Sequence, residues 1–211
     1  MSRFLQIIFF ALLVRPVLLL ILGMNVRGRE HLPKKGPAII AANHNSHLDT
    51  LTLMALFPLR DLHLLRPAAA ADYFLSNRWL AWFARNIIRI IPLERAGMKK
   101  NPLADLEATL DRGEILILFP EGSRGAPEQR IQFKRGVAYL SKSRPEVPIH
   151  PVFMHGLGKA LPKGSWLLVP FNCDVIAGPA MHWPGSTADL MTGLETQMNA
   201  LADQGHVPSW E

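Results

Sequence analysis

Two histidines and an aspartate lie within residues 43–49, which read NHNSHLD. An imidazole beside a carboxylate is a common general base, because the carboxylate fixes the tautomer and stabilises the imidazolium that forms. The same three side chains, His44, His47 and Asp49, could instead ligate a metal ion. A third interpretation is a polar loop that only caps the helix after it. These interpretations require different geometries.

The spacing favours His44 and Asp49 as the pair. They are five residues apart, so on one ideal helix their side chains would point in different directions. Ser46 and Asp49 match the S-x-x-D pattern of a capping box, which predicts that a helix starts at Ser46. His44 then lies before the helix and can fold back onto Asp49, whereas His47 diverges from Asp49. Asp49 can cap the helix and hold the histidine at once.

A metal-dependent hydrolase that uses His44, His47 and Asp49 remains the alternative from a different class. Its ligand spacing is unusual, and no second cluster of metal ligands follows along the chain. The single cysteine, Cys173, excludes an internal disulfide and a cysteine-based zinc cage. Cys173 lies in an apolar stretch and is expected to fill the core.

A second polar turn follows another apolar run, at residues 119–125, FPEGSRG. Glycine-rich turns at strand ends expose backbone N–H groups to anions, and an arginine adds a bidentate donor for phosphate. Glu121, Gly122, Ser123 and Arg124 are therefore candidate binding residues, although a solvated surface turn would look the same. Ser123 lacks the G-x-S-x-G setting of a nucleophilic serine. The basic stretch IPLERAG adds a weaker candidate, Arg95.

The elements that must position these residues alternate along the chain. Apolar runs predict strands at 37–42, within 61–71, at 115–119 and at 147–156, and WLLVPFNCDVIAG (166–178) predicts a hairpin or two short strands. Helical patterns occupy 76–91, 101–113 and 133–143, and a capping box at Ser186 opens a last helix that buries Leu190, Leu194, Met198 and Leu201. Alternating strands and helices predict a single α/β domain, residues 25–211, with a mainly parallel central sheet flanked by helices.

Residues 1–24 form a separate N-terminal segment in this interpretation. The run 4–22 is nearly long enough to span a bilayer, but it contains Arg15 and Pro16. A central arginine is costly in lipid, and proline tends to kink or split a helix. We therefore expect an apolar helical segment that dips into the membrane or lies at its surface, with Arg15 reaching for the head groups. A full span and a buried helix are the alternatives.

The chain is basic, with a formal net charge of +6 over 211 residues. A basic surplus favours acidic partners such as nucleic acid, anionic lipid or phosphorylated substrates. Beside an apolar N-terminal segment, anionic lipid is the expected partner, and no nucleic acid is expected.

Together these stretches resemble the glycerolipid acyltransferase family, of the lysophosphatidate acyltransferase type. The family's N-H-x-S-x-x-D motif is matched by residues 43–49 and its F-P-E-G-[ST]-R motif by 119–124. IPLERAG and VPIHPV (147–152) match its remaining two motifs more loosely, and all four occur in the family's order. The resemblance implies a membrane-associated O-acyltransferase, a function that composition and spacing alone do not indicate.

The resemblance also implies roles for individual residues. His44 would be the general base on the acceptor hydroxyl and Asp49 would orient it, while Arg95, Glu121, Gly122, Ser123 and Arg124 would position the substrate. The acyl donor would be acyl-CoA or acyl carrier protein, with no metal or organic cofactor. The acceptor would be a lysolipid, 1-acyl-glycerol-3-phosphate first of all. The expected location is the cytoplasmic face of a bacterial inner membrane.

One departure from the family concerns the acceptor. Many members carry a lysine after the second strand, in an A-K-x-E-L-like stretch suited to an acceptor phosphate. Here the stretch reads Ala71-Asp72-Tyr73-Phe74. Another lysophospholipid or a lyso-aminolipid is therefore an alternative acceptor, unless a different basic residue replaces the lysine.

Overall fold

A computed structural model describes residues 2–74, 77–93, 103–122, 133–161 and 167–205. The strands are β1 (Asn25–Arg27), β2 (Ala38–Ala42), β3 (Leu65–Ala70), β4 (Ile91–Leu93), β5 (Ile115–Leu118), β6 (Ile149–His155) and β7 (Asp174–Ala177). They form one sheet in the order β1-β7-β6-β2-β5-β3-β4. The five strands from β6 to β4 run parallel, and β7 pairs antiparallel with β6 and parallel with β1. The mainly parallel sheet predicted from the sequence is confirmed.

The central strands face two apolar cores, one on each side of the sheet. Every residue of β2 and β5 is buried, and alternate side chains of a strand point to opposite faces. Residues 38, 40 and 42 of β2 therefore join residues 115 and 117 of β5 in the first core. Residues 39 and 41 join 116 and 118 in the second. Burial on both faces explains why these strands are continuously apolar.

Helices cover both cores. They are α1 (Ser2–Phe9), α2 (Leu48–Ala55), α3 (Ala71–Phe74), α4 (Arg78–Phe83), α5 (Ala104–Asp111), α6 (Gly136–Ser143), α7 (Leu157–Ala160) and α8 (Thr187–Gln204), with π-helical turns at Phe10–Val14, Val17–Ile21 and Ala84–Ile88. The last helix is as predicted: Ser186 Oγ accepts the N–H of Ala188 at 3.2 Å, and Leu190, Leu194, Met198 and Leu201 are buried.

The predicted helix over 76–91 is wrong at its C-terminal end. Among the described residues, α4 and a π-helical turn end at Ile88, Arg89 takes a left-handed conformation with φ 63°, and β4 begins at Ile91. The run IIRII suits a buried helix end and a buried strand equally, so periodicity could not separate them. The helical pattern over 76–91 also predicts that Trp79 lies on the inward apolar face, but its side chain is 75% exposed.

The stretch 166–178 contains one strand, not two. Among its described residues only β7 is extended and paired, and Leu167–Cys173 has no regular structure. Pro170 lacks the N–H that a second strand would need. Cys173 is buried in the first core, as expected. The predicted start of α5 at 101–102 lies outside the described residues, and its predicted end at Gly113 agrees with the φ of 72° there.

The N-terminal segment is a continuous helical stretch, Ser2–Ile21, that is long and apolar enough to cross a membrane by length and composition. It passes through Pro16 with π-helical turns on either side, so the expected split does not occur. Phe10, Val14, Leu18 and Leu22, spaced four apart, are buried in the first core. Arg15 does not reach for head groups, because its Nη2 donates to the carbonyl of Phe57 at 2.6 Å. One face of the helix is therefore part of the domain's packing.

Candidate active site

The loop between β2 and α2 carries the NHNSHLD sequence, and its first residue ties it to the sheet. Asn43 Nδ2 donates to the carbonyl of Met154 at 2.8 Å, and Asn43 Oδ1 accepts the N–H of Met154 at 2.7 Å. Asn43 thus extends the pairing of β2 with β6 by one residue through its side chain. The buried amide of Asn43 fixes the point at which the chain leaves the sheet, and this sets the position of the next residue, His44.

His44 and Asp49 form a direct pair. Nδ1 of His44 lies 2.9 Å from Oδ2 of Asp49, and the Asp49 side chain is 1% exposed. The backbone N–H groups of Asn45 and Ser46 donate to the same oxygen at 2.6 and 2.8 Å. His44 precedes α2 and folds back onto it, which is the arrangement that the spacing predicted.

The capping box is what holds the carboxylate in place. Asp49 accepts the Ser46 N–H, which is one half of the box. Ser46 Oγ accepts the N–H of Leu48 at 3.3 Å, one residue earlier than in the full pattern, and so still caps the helix. Although regular helix begins at Leu48, His47 already has helical angles, which makes Ser46 the capping residue. Ser46 Oγ also donates to the carbonyl of Leu161 at 3.0 Å. The hydrogen bonds that cap α2 therefore also hold the carboxylate that orients His44.

This geometry fixes the protonation pattern of the imidazole. A carboxylate can only accept, so the proton of neutral His44 resides on Nδ1 and the lone pair on Nε2. The ring stacks on Phe119, with centroids 4.1 Å apart and planes 21° from parallel. Nε2 is therefore aimed by two contacts, one to Asp49 and one to Phe119, and can accept a proton from a bound hydroxyl.

Glu121 is buried next to the backbone of His44. It is 4% exposed, and its Oε2 accepts the backbone N–H of His44 at 3.3 Å. Burial raises the pKa of Glu121 to about 7; the hydrogen bond from His44 lowers it and the charge of Asp49 raises it further. The sequence predicted a substrate-binding role for Glu121. In the structure this carboxylate connects the 119–122 turn to the His44 loop.

The turn itself depends on Gly122. Its φ is 70°, a left-handed conformation that glycine adopts without strain, and its N–H donates to the carbonyl of Phe119 at 2.9 Å. β2 and β5 are neighbours in register from Ala38↔Ile115 to Ala41↔Leu118. The two motifs are about 70 residues apart in sequence, but both follow the C-terminal ends of these strands and therefore lie together at that end of the sheet.

Three predicted site residues, Arg95, Ser123 and Arg124, lie outside the described residues. Within the described ranges, no three His, Cys, Asp or Glu side chains are grouped so that they could hold a metal ion. His47, the third residue of the alternative metal site, follows Ser46 into the helix, while Nδ1 of His44 is engaged by Asp49. The geometry favours the His44–Asp49 pair over the metal site.

Three residues near the site were not singled out from the sequence. Asn43 and Phe119 each begin one of the two motifs, and that position was the available signal. Lys134 lies against Gly122, since a Cβ atom placed on this glycine would be 2.5 Å from Lys134 Nζ. No local pattern in the sequence connects residues 122 and 134.

Known proteins resemble this chain in sequence. Residues 23–155 match the family model described as Acyltransferase. The chain is 30% identical over 182 residues to the 1-acyl-sn-glycerol-3-phosphate acyltransferase of Pseudomonas aeruginosa, covering 85% of this chain and 67% of that protein. It is 28% identical over 173 residues to the human 1-acyl-sn-glycerol-3-phosphate acyltransferase alpha, covering 81% of this chain and 59% of that protein.

The fold has a close counterpart among solved structures. The 1-acyl-sn-glycerophosphate (LPA) acyltransferase PlsC from Thermotoga maritima superposes with a TM-score of 0.79 at 21% identity, covering 97% of this chain and 81% of that one. At this identity the match shows a shared fold. With the family model spanning both motifs, the chain belongs to the acyltransferase family and is an acyltransferase by enzyme class.

Proposed function

We propose that this chain transfers a fatty acyl group from acyl-CoA or acyl carrier protein to the free hydroxyl of a lysolipid. The proposed acceptor is 1-acyl-glycerol-3-phosphate, which would give phosphatidate. The observation that carries the proposal is the 2.9 Å contact between Nδ1 of His44 and the buried carboxylate of Asp49. The names of the relatives support the choice of acceptor.

The pair can perform acyl transfer in two steps. Nε2 of His44 accepts the proton of the acceptor hydroxyl as its oxygen attacks the thioester carbonyl, and Asp49 stabilises the imidazolium. The tetrahedral intermediate then collapses, the C–S bond breaks, and the leaving thiolate takes the proton from His44. The acceptor itself is the nucleophile, so no acyl-enzyme forms. General-base assistance of this kind contributes about 10²–10⁴-fold to the rate.

The N-terminal helical stretch supports a membrane location for this reaction. Its outer face exposes apolar side chains, among them Leu12 at 74% and Leu20 at 83%. The neighbouring α4 adds the exposed Trp79, and tryptophan favours the boundary between head groups and acyl chains. We place this surface in one leaflet, at the cytoplasmic face of a bacterial inner membrane, where a lysolipid would reside.

The proposal is tested by measuring acyl transfer from acyl-CoA and from acyl carrier protein to a panel of lysolipids. We expect turnover on 1-acyl-glycerol-3-phosphate and a loss of at least about 100-fold in His44→Ala. His63→Ala is the matched control, because the contact of His63 Nδ1 with the carbonyl of Arg60 is exposed and lies outside both motifs. Wild-type activity in His44→Ala, on an acceptor that the wild type acylates, would contradict the mechanism.

A further inference from the structure

Lys134 extends its side chain across the turn that carries Glu121 and Gly122. A Cβ atom placed on Gly122 would lie 2.5 Å from Nζ, 2.7 Å from Cε and 2.8 Å from Cδ of Lys134. The outer half of the lysine side chain therefore lies directly on the glycine backbone. Any larger residue at position 122 would displace the ammonium group, which gives this glycine a second requirement besides its left-handed φ.

The backbone of Lys134 is held in place from both sides. Its N–H donates to the carbonyl of Pro120 at 2.8 Å, which joins it to the same turn. Immediately after it, α6 begins at Gly136 and buries Val137 and Ala138 in the second core. A residue fixed in this way presents its ammonium group to the active-site turn as a consequence of the fold.

The ammonium group of Lys134 has no acidic partner in the part of the chain that the structure describes. Across the described ranges, no carboxylate lies within ion-pair distance of Lys134 Nζ. Glu121, the acid of the turn itself, directs its Oε2 to the N–H of His44. The exposed side chain of Lys134 therefore offers a positive charge beside the active-site turn that no described carboxylate neutralises.

We propose that Lys134 binds the anionic head group of the acceptor and selects lysolipids that carry a phosphate. This inference rests on the proposed acyl transfer and concerns its acceptor. An ammonium group donates up to three charge-assisted hydrogen bonds to phosphate oxygens.

The relative positions of the base and the cation suit such an acceptor. In 1-acyl-glycerol-3-phosphate the reacting hydroxyl and the phosphate are on neighbouring carbons. His44 meets one side of the 119–122 turn through Glu121, and Lys134 lies on Gly122, the next residue. The base and the cation therefore border the same turn, and the acceptor that this favours carries its anionic group close to its hydroxyl.

The test combines the charge of the acceptor with the charge of residue 134. Kinetics of wild type, Lys134→Met and Lys134→Arg are measured on 1-acyl-glycerol-3-phosphate and on the uncharged monoacylglycerol with the same chain. We expect Lys134→Met to lose about 10–100-fold in kcat/KM on the phosphate acceptor, mostly through KM, as removal of hydrogen bonds to a charged group does. On monoacylglycerol the change should stay within about 3-fold, and arginine should restore part of the loss.

If monoacylglycerol is not turned over, inhibition constants can replace the kinetic comparison. Dodecyl phosphate carries the anionic group but has no hydroxyl to acylate, so it acts only as an inhibitor. Its inhibition constant should rise about 10-fold or more in Lys134→Met, while that of the neutral detergent dodecyl maltoside stays constant. Lys142→Met, an exposed lysine of α6, is the matched control and should change neither.

Equal losses on charged and neutral ligands, or no loss on either, would overturn the role of Lys134. Either result would leave the proposed acyl transfer intact as long as the wild type acylates a lysolipid. Absence of turnover on every acceptor would instead contradict the proposed function itself. Thermal unfolding of each variant shows whether a loss reflects misfolding.

Discussion

Oδ2 of Asp49 accepts from Nδ1 of His44 at 2.9 Å and, at the same time, from the backbone N–H groups of Asn45 and Ser46. One buried carboxylate oxygen therefore starts a helix and orients an imidazole. The histidine cannot rotate without giving up this contact, and the carboxylate cannot move without breaking the helix cap. The orientation of the base is set by local chain geometry.

Replacement of this carboxylate should separate orientation from folding. In Asp49→Asn, the side-chain oxygen can still accept from Ser46, but it cannot stabilise an imidazolium as a charge does. We expect kcat to fall by at least about 100-fold, with a melting temperature only slightly below that of the wild type. Activity assays and thermal unfolding measure the two effects. Asp61→Asn, a surface aspartate beside Arg60, is the control and should retain activity; a similar fall there would show that the loss is not specific to position 49.

The part of this site that sequence predicts is the part that local geometry decides. The capping-box spacing of Ser46 and Asp49 placed His44 outside the helix, and the apolar runs of β2 and β5 placed both motifs at strand ends. Arg15 and Lys134 could not be placed in this way. Their partners, the Phe57 carbonyl and Gly122, are brought to them only by tertiary packing.

Glu121 should make stability depend on pH in an unusual direction for an acid. Burial raises the pKa of Glu121 from 4.5 to about 7 in the folded protein. The folded state therefore binds this proton more tightly than the unfolded state, and its contribution to stability is lost as pH rises from about 4.5 through 7. We expect the free energy of unfolding of the wild type to fall by up to about 3 kcal/mol more than that of Glu121→Gln between pH 4.5 and 8.

Denaturant titration at several pH values measures this difference. Glu121→Gln keeps an oxygen that accepts the His44 N–H, whereas Glu121→Leu removes it. The glutamine variant should therefore retain most activity and the leucine variant should lose it. If both variants follow the pH dependence of the wild type, Glu121 is not the titrating group.

Substitutions of Leu18 and Leu20 test whether the N-terminal helical stretch packs as part of the domain. Leu18 is 1% exposed in the first core, whereas Leu20 is 83% exposed. Truncation of a buried leucine removes apolar contacts and leaves a cavity. We expect Leu18→Ala to lower the free energy of unfolding by about 2–5 kcal/mol and Leu20→Ala to leave it nearly unchanged.

The same pair distinguishes packing from membrane contact. Leu20→Glu should weaken sedimentation with anionic phospholipid vesicles, because it places a charge on the proposed lipid-facing surface, and should leave the melting temperature in solution unchanged. Equal stability of the Leu18 and Leu20 variants would mean that the helix is only an anchor and does not pack as part of the domain.

The carboxylate of Glu114 lies at the other end of the strands from the active site, and it should contribute to folding stability and not to catalysis. Glu114, just before β5, faces Arg66 at 3.6 Å, Arg89 at 3.8 Å and Arg112 at 2.8 Å, and its side chain is largely buried. Burial lowers the pKa of Arg66, and the positive charges of Arg89 and Arg112 lower it further while Glu114 raises it. Glu114→Gln removes the one acid in this described cluster and leaves three guanidinium groups facing each other. Loss of the one counterion leaves partly buried charges uncompensated, so we expect a fall in the denaturation midpoint. High salt should restore part of the lost stability, because it screens the repulsion between the guanidinium groups.

Asp111→Asn is the control. It breaks the exposed ion pair with Arg144 at 2.8 Å and should shift the midpoint little. Comparable shifts in the two variants would mean that the cluster around Glu114 is no more important for stability than a surface ion pair.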